Sequence, residues 1–372
     1  MNQGSSFEAR LQRIKQAISL EKPDRVPVVL EYGAFAAQVT NTPKSEFLLN
    51  LKRSVEVMIE AYQLVAEKGS ADAMNYGSFS PYALSYLWLS KVKVPGVDLP
   101  EDMSYQVYEK ELMTRDDYDV ILEQGWPEFY KNFMREKVIE DVAPEHLPMN
   151  QGPANVKREW AKIGVPVLRM SVMATPFEYL CGGRSLNGFF LDLLDIPEKI
   201  EAVMNAMMPY LSAPICQHAK KQGYPAVWVG GWRAAPAMLS HEMWERFVWS
   251  HFRQQVYDAI EHDLIPLLHL DSDWTRELES FRELPKGKVI MALDGETDIF
   301  KAKEVLGDHM CLMGDVPPAM LSFDNPDTVY AYCSKLIREV GPEGFILQSG
   351  CDIPENAKLE NVQAMVAAAF DS

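Results

Sequence analysis

The chain has 372 residues, 47% of them hydrophobic, enough for a sizeable core and too many for a largely disordered polymer. Its 36 Lys and Arg against 53 Asp and Glu leave a formal net charge of -17, which argues against nucleic acid as a partner because an acidic surface repels phosphates. No apolar run has the length of a membrane span and the first residues lack a signal-peptide core, so a cytoplasmic chain without a membrane partner is expected; the five scattered cysteines argue against a disulfide framework.

In chain order, residues 5–19 read as an amphipathic helix, and the apolar run Val26 to Leu30 as a first strand. A helical pattern covers 43–67, and a short strand is expected at 71–75. Residues 78–162 are the least regular, rich in Tyr, Trp and Pro, with helical pieces near 102–112 and 126–138. They are expected to form an inserted cap on a single domain spanning 1–372. Apolar strands follow at 165–171, 225–229, 265–270, 288–293, 309–313 and 344–348. They alternate with helical stretches near 197–221, 241–261, 274–283, 298–306, 325–340 and 359–369. Eight short apolar strands alternating with helices predict an α/β fold, a (β/α)8 TIM barrel. The alternative, an open doubly wound sheet, has little support because no Gly-x-Gly-x-x-Gly run follows any strand.

In a barrel, chemistry sits at the C-terminal strand ends. Those ends hold His269, Asp271, Asp294, Cys311, Asp315 and Cys351. His269 and Asp271 are two apart, so on an extended strand they share a side. Thiolates with an imidazole or a carboxylate form a plausible zinc set; for Cys311 the alternative is a small buried hydrophobe. Glu31 is a candidate further ligand or base, beside Tyr32 at the end of strand one. Arg233 either binds an anion or pairs with a carboxylate. Aromatic clusters at 74–88 and 173–180 suggest walls for a flat apolar substrate or a packed cap interface, with Asn75, Tyr76, Phe177 and Trp232 as candidate pocket residues. Cys216 and Cys333 fall in helical stretches and read as packed thiols; Cys181 receives no chemical role.

Several segments resemble the uroporphyrinogen decarboxylase superfamily: LEKPDRVPV (20–28), FEYLCGGRSLNGFFLDLLDIPEKI (177–200), GGWRAAPAMLS (230–240), HLDSDW (269–274), MALDGETDIFKAKEVLG (291–307) and, the most specific, LQSGCDIPENAKLENVQAMVAA (347–368). The resemblance covers nearly the whole chain and implies a (β/α)8 barrel. Porphyrinogen decarboxylases carry an arginine-rich segment after strand one; the matching stretch here, EYGAFAAQV (31–39), has no arginine. The cobalamin-dependent methyltransferase branch binds zinc through His-x-Cys after strand five and a Cys after strand eight. His269 and Cys351 stand at those places, Asp271 replaces the first cysteine, and Cys311 is additional.

That departure is most similar to the substrate-side methyltransferases of anaerobic O-demethylase systems. The resemblance implies methyl transfer from a small methylated substrate, foremost a methoxylated aromatic, to the Co(I) of a corrinoid on a separate small protein. Zn2+ is implied as the cofactor, held by Asp271, Cys311 and Cys351, with His269 as a fourth ligand or as the donor that orients Asp271. Asp271, Glu31, Tyr32 and Asp294 are the expected catalytic residues, with Tyr32 or Asn75 as a donor near the developing phenolate. The alternative is a decarboxylase of a porphyrinogen or a smaller carboxylic acid, for which Arg184 and Arg233 are the nearby clamps.

Overall fold

The computed structural model describes residues 3–370. In chain order its strands are β1 (Val29–Leu30), β2 (Ala73–Met74), β3 (Lys91–Lys93), β4 (Gln106–Tyr108), β5 (Val172–Ala174), β6 (Ala226–Gly231), β7 (Ile265–Leu270), β8 (Ile290–Leu293), β9 (Cys311–Val316) and β10 (Phe345–Ser349). Strands β5 to β10 form one parallel sheet in sequence order, and β1 pairs in parallel with β2. Two junctions close the ring. Val167 bridges Met74, with Leu168 N donating to Met74 O at 2.9 Å. Val28 bridges Leu347, with Leu347 N donating to Pro27 O at 2.9 Å. The expected eight-stranded barrel is therefore the fold, and β3 and β4 are an antiparallel ribbon outside it.

Strand parity explains what fills the barrel. The helix Gln3–Ile18 sets Ile14, Ala17 and Ile18 against Val29, Ala73, Leu267, Ile290, Cys311 and Ile346, which form a small apolar core of their own. Side chains two residues further along a strand share its face. On β1, β2, β7 and β10 those residues are Glu31, Asn75, His269 and Gln348, all buried. The barrel thus has an apolar floor and a polar layer above it. The large core lies between strands and surrounding helices.

Several sequence expectations shift. The third barrel strand extends further than 165–171, because its regular pairing with β6 comes at Val172–Ala174. The helical pattern at 43–67 is two helices, Lys44–Leu49 and Leu51–Val65; Asn50 between them is extended and caps the second by accepting from Arg53 N at 3.1 Å. The stretch 102–112 is not helical: it contains β4, whose Gln106, Val107 and Tyr108 pair with Lys93, Val92 and Lys91. The stretch 197–221 breaks at Ser212 into Pro197–Leu211 and Ala213–Gln222, and 275–283 is a 3-10 helix.

Candidate metal centre in the barrel mouth

Three residues converge where β7 and β10 end. His269 is the last residue but one of β7, Asp271 lies just beyond that strand and Cys351 just beyond β10. His269 Nε2 stands 3.2 Å from Asp271 Oδ1 and 3.6 Å from Cys351 Sγ, and the three ligand atoms lie within 4.8 Å of one another. Local structure holds them there. Gly350 packs so tightly on the backbone just after β8 that a Cβ would sit 2.3 Å from Asp294 O, and Gly350 N donates to Val316 O at 2.8 Å. Ser349 Oγ donates to Cys351 O at 2.6 Å and Ile353 N to Glu31 O at 2.8 Å. On the other side, Asp271 N donates to Gly231 O and Trp274 Nε1 donates to Asp271 O at 2.7 Å.

The corner is short of positive charge. Burial pushes the Cys351 thiol up, and burial together with Glu31 pushes the Asp352 carboxyl up to about 7. Burial alone would lower His269, but hydrogen bonds to Asp271 and Cys351 outweigh it and hold the imidazole well above its usual value. Each group holds its proton more tightly than usual: for the thiol and the Asp352 carboxyl burial outweighs the pull of the nearby His269 and Arg169, whereas for the imidazole the acidic neighbours outweigh burial. A divalent ion in place of those protons fits the set: an imidazole, a carboxylate and a thiolate suit zinc, and three protein ligands leave one position open. Among the described residues His269 Nδ1 is buried without a partner.

Beside the triad lies a cavity of about 420 Å³. Tyr76, Phe79, Trp88, Tyr105, Trp228 and Trp232 are its aromatic wall, and Val107 of β4 contributes from the ribbon. Gly230 makes room for Trp228, since a Cβ there would lie 1.7 Å from the indole. Trp88 and Trp232 meet edge to face at 4.7 Å. At one side Glu31 Oε2 accepts from Asn75 Nδ2 at 2.7 Å and Gln348 Nε2 at 2.9 Å, while Glu31 Oε1 faces Arg169 Nη2 at 3.0 Å. Arg169 Nε donates to Asn75 Oδ1 at 2.8 Å. Tyr76 OH donates to Asp352 Oδ1 at 2.5 Å.

Several expected site residues lie elsewhere. Cys311 begins β9 and pairs with Ile290, on the apolar floor, whereas His269 is level with Ala292 and Met313; the thiol sits a layer below the triad. Burial pushes it up, as for an inert packed cysteine. Tyr32 is fully buried and its hydroxyl donates to Met58 O at 2.9 Å, away from the mouth, because it follows Glu31 by one residue and takes the opposite face. Phe177 packs edge to face on Phe189 at 5.0 Å inside the core, so the 173–180 cluster does not line the cavity. Asp294 accepts from Ser272 N at 2.7 Å and Glu296 N at 2.9 Å, tying the loop that carries Asp271 to the end of β8. Arg233 is buried beneath Trp232, 4.3 Å from the ring centroid, with Glu178 Oε2 at 4.0 Å. Arg184 is held by Asp192 at 2.7 Å and by Glu111, so neither arginine faces the cavity. Asn75 and Glu31 belong to the polar layer, Tyr76 and Trp232 to the wall.

Sequence reading missed Arg169 and Asp352, and placed Gln348 at a strand end without a role. Arg169 was hidden in an apolar strand run; Gln348 sits two residues beyond Ile346 of the barrel floor, a parity that points it inward.

The fold and this site define a (β/α)8 barrel with a polar centre at the C-terminal ends of its strands. The uroporphyrinogen decarboxylase (URO-D) family model matches residues 164–371, and the chain belongs to that family. Curated relatives include the uroporphyrinogen decarboxylase of Chlorobium phaeovibrioides, 24% identical over 212 residues, 54% of this chain and 58% of the relative. That of Coxiella burnetii is 26% identical over 135 residues, 35% of this chain and 37% of the relative. The chain thus spans well under two thirds of these relatives' length. Among solved structures, a methyltransferase from Methanosarcina mazei superposes with a TM-score of 0.69 at 17% identity, over 96% of this chain and 97% of that one. A B12-independent methionine synthase from a Shewanella species gives 0.50 at 10% identity, over 93% and 97%. At these identities the likeness is one of fold.

Proposed function

We propose that this chain is a zinc-dependent methyltransferase that moves a methyl group from a small methoxylated aromatic to the Co(I) of a corrinoid carried by a separate small protein. The observation that carries the reading is the convergence of His269 Nε2, an Asp271 carboxylate oxygen and Cys351 Sγ within 4.8 Å at the edge of an aromatic cavity. The solved neighbour described as a methyltransferase supports it. His269, Asp271 and Cys351 would hold the ion, with His269 taking the place first given to Cys311; bound there, zinc supplies a Lewis acid for an ether oxygen.

The chain's own residues do the rest. Trp228 and the edge-to-face pair of Trp88 and Trp232 give a flat ring apolar walls to lie against and keep water from it. Asp294 holds the Asp271 loop in place by accepting from Ser272 N, and its other oxygen is fixed by Glu296 N of its own loop. Residues 78–162 act as a cap, with Phe79, Trp88, Tyr105 and Val107 reaching the cavity. Trp232, 39% exposed, stands at the mouth, where the corrinoid domain would dock. A working thiolate suits the reducing cytoplasm.

The test is metal content and methyl transfer on the same variants. About one zinc per chain is expected, lost in Cys351→Ala and His269→Ala and kept in Cys311→Ala and Cys333→Ala. Methylation of Co(I), followed by corrinoid absorbance, should follow the zinc. Zinc retained in full by both Cys351→Ala and His269→Ala overturns the metal centre. The curated relatives favour a second reading, decarboxylation. A porphyrinogen's carboxylates need cationic clamps, and Arg169 is the one Arg or Lys among the described cavity-lining residues and is already paired. Rapid decarboxylation of uroporphyrinogen by the purified protein would establish that reading instead.

A further inference from the structure

Arg169 has a half that nothing among the described residues uses. A guanidinium presents two donor forks in one plane. The fork of Nε and Nη2 is spent: Nε donates to Asn75 Oδ1 at 2.8 Å and Nη2 to Glu31 Oε1 at 3.0 Å. The other fork, Nη1 with the remaining Nη2 hydrogen, makes no hydrogen bond among the described residues. It is not sealed in the core either, because Arg169 lines the cavity and its Nη1 is absent from the buried, unpartnered atoms. The group cannot swing away. Glu31 is itself held by Asn75 Nδ2 and Gln348 Nε2, and the guanidinium carbon sits 5.0 Å from the Tyr76 ring centroid. A rigid pair of donors therefore faces the space that the ring of a substrate would fill.

The charges around it decide what it takes. Arg169 is balanced by Glu31. A divalent ion at the triad would be balanced by Asp271 and Cys351. Asp352 remains, also on the cavity wall. The cavity has no net positive charge to offset a carboxylate, and burying one there would be costly. A cationic group would be repelled by the guanidinium. A neutral oxygen acceptor satisfies the free fork without adding charge.

We propose that Arg169 is a specificity-determining residue whose free fork binds an uncharged oxygen on the substrate ring, so that the preferred methyl donors are neutral aryl methyl ethers bearing a hydroxyl, second methoxyl or carbonyl, and ring carboxylates are rejected. This rests on the aryl-ether reading above. It is tested by ligand binding, read as quenching of the cavity tryptophans Trp88, Trp228 and Trp232 in the full, zinc-loaded chain. The probes are anisole, the three isomers of methoxyphenol and the three methoxybenzoates. The best methoxyphenol should bind about tenfold more tightly than anisole, the worth of one to two hydrogen bonds, and more tightly than any methoxybenzoate. In Arg169→Met the methoxyphenol and anisole affinities should converge. If that variant does not fold, Glu31→Leu/Arg169→Met removes both charges and carries the same expectation.

A methoxybenzoate binding more tightly than every methoxyphenol would overturn the inference. So would a tenfold preference that survives the loss of Arg169. Binding of aryl ethers without preference overturns this inference alone. Failure of every aryl ether to bind overturns the substrate reading as well.

Discussion

Glu31→Gln tests whether the polar layer is an ion pair held by its surroundings or a free catalytic base. Three donors converge on the Glu31 carboxylate: Arg169 Nη2 on one oxygen, Asn75 Nδ2 and Gln348 Nε2 on the other. Both ionic side chains are nearly inaccessible, 10% for Arg169 and 5% for Glu31. The amide keeps the shape but removes the charge and turns one acceptor into a donor that faces another donor. Leaving a buried charge without its partner costs roughly 3–5 kcal/mol. Unfolding a chain of 372 residues carries an entropy of about 0.8 kcal/mol/K at roughly 2.1 cal/mol/K per residue. The melting temperature should therefore fall by about 4–6 °C in a calorimetric scan. The double variant Glu31→Leu/Arg169→Met removes both charges and should recover part of that loss, giving a coupling energy of opposite sign to the single effects. A melting temperature unchanged within about 1 °C in Glu31→Gln, or a double variant that falls by the sum of the singles, refutes the ion-pair account.

Gly230→Ala would place a Cβ 1.7 Å from the Trp228 ring; the indole must leave its position, so aryl-ether quenching should weaken severalfold while zinc content stays at the wild-type level. Asp192 is fully buried and accepts from Arg184 Nε at 2.7 Å, Arg115 Nε at 2.6 Å and Tyr118 OH at 2.8 Å; Asp192→Ala should cost roughly 3–5 kcal/mol in urea unfolding, and a loss under about 1 kcal/mol would contradict the network. Burial pushes the Asp315 carboxyl up to about 6 although the Tyr332 hydroxyl donates to it at 2.8 Å, so the folded state holds that proton more tightly than the unfolded chain and stability falls as pH rises between about 4 and 6. Asp315→Asn should remove up to about 3 kcal/mol of that pH dependence, and an equal stability difference from wild type at pH 4 and pH 7 would dismiss the effect.

The barrel was legible because its parallel strands are buried on both faces and read as short apolar runs between amphipathic helices. What misled was structure that local pattern does not carry. β4 is held by cross-strand pairing with β3, from a stretch of polar sequence that reads equally well as a helix. Asn50 splits one helical pattern into two by capping the second helix. The third strand is irregular, with Arg169 and Ser171 reaching different neighbours: Arg169 N donates to Asn75 O, and Trp228 N to Ser171 O.

Cys311 shows how a residue can be assigned to the right strand and the wrong end of it. An apolar run locates a strand but not the level of each residue in the barrel, because level depends on the stagger between neighbouring strands. The pairing of Cys311 with Ile290, and of Ile290 with Leu267, sets the thiol two residues below His269 on the ladder, roughly 6–7 Å toward the floor. Parity alone could not reveal this, since residues two apart share a face at every level. The triad escaped the same ambiguity for a physical reason. Asp271 and Cys351 lie beyond the last paired residues of their strands, next to Gly231 and Gly350, where the chain must turn away from the sheet. A polar or nucleophilic residue at such a break has only the rim to occupy. One inside a run can occupy the floor, the polar layer or the rim. The arginine that lines the cavity was lost to the same rule, because Arg169 lies inside its run and reaches the cavity through the irregular pairing of that strand.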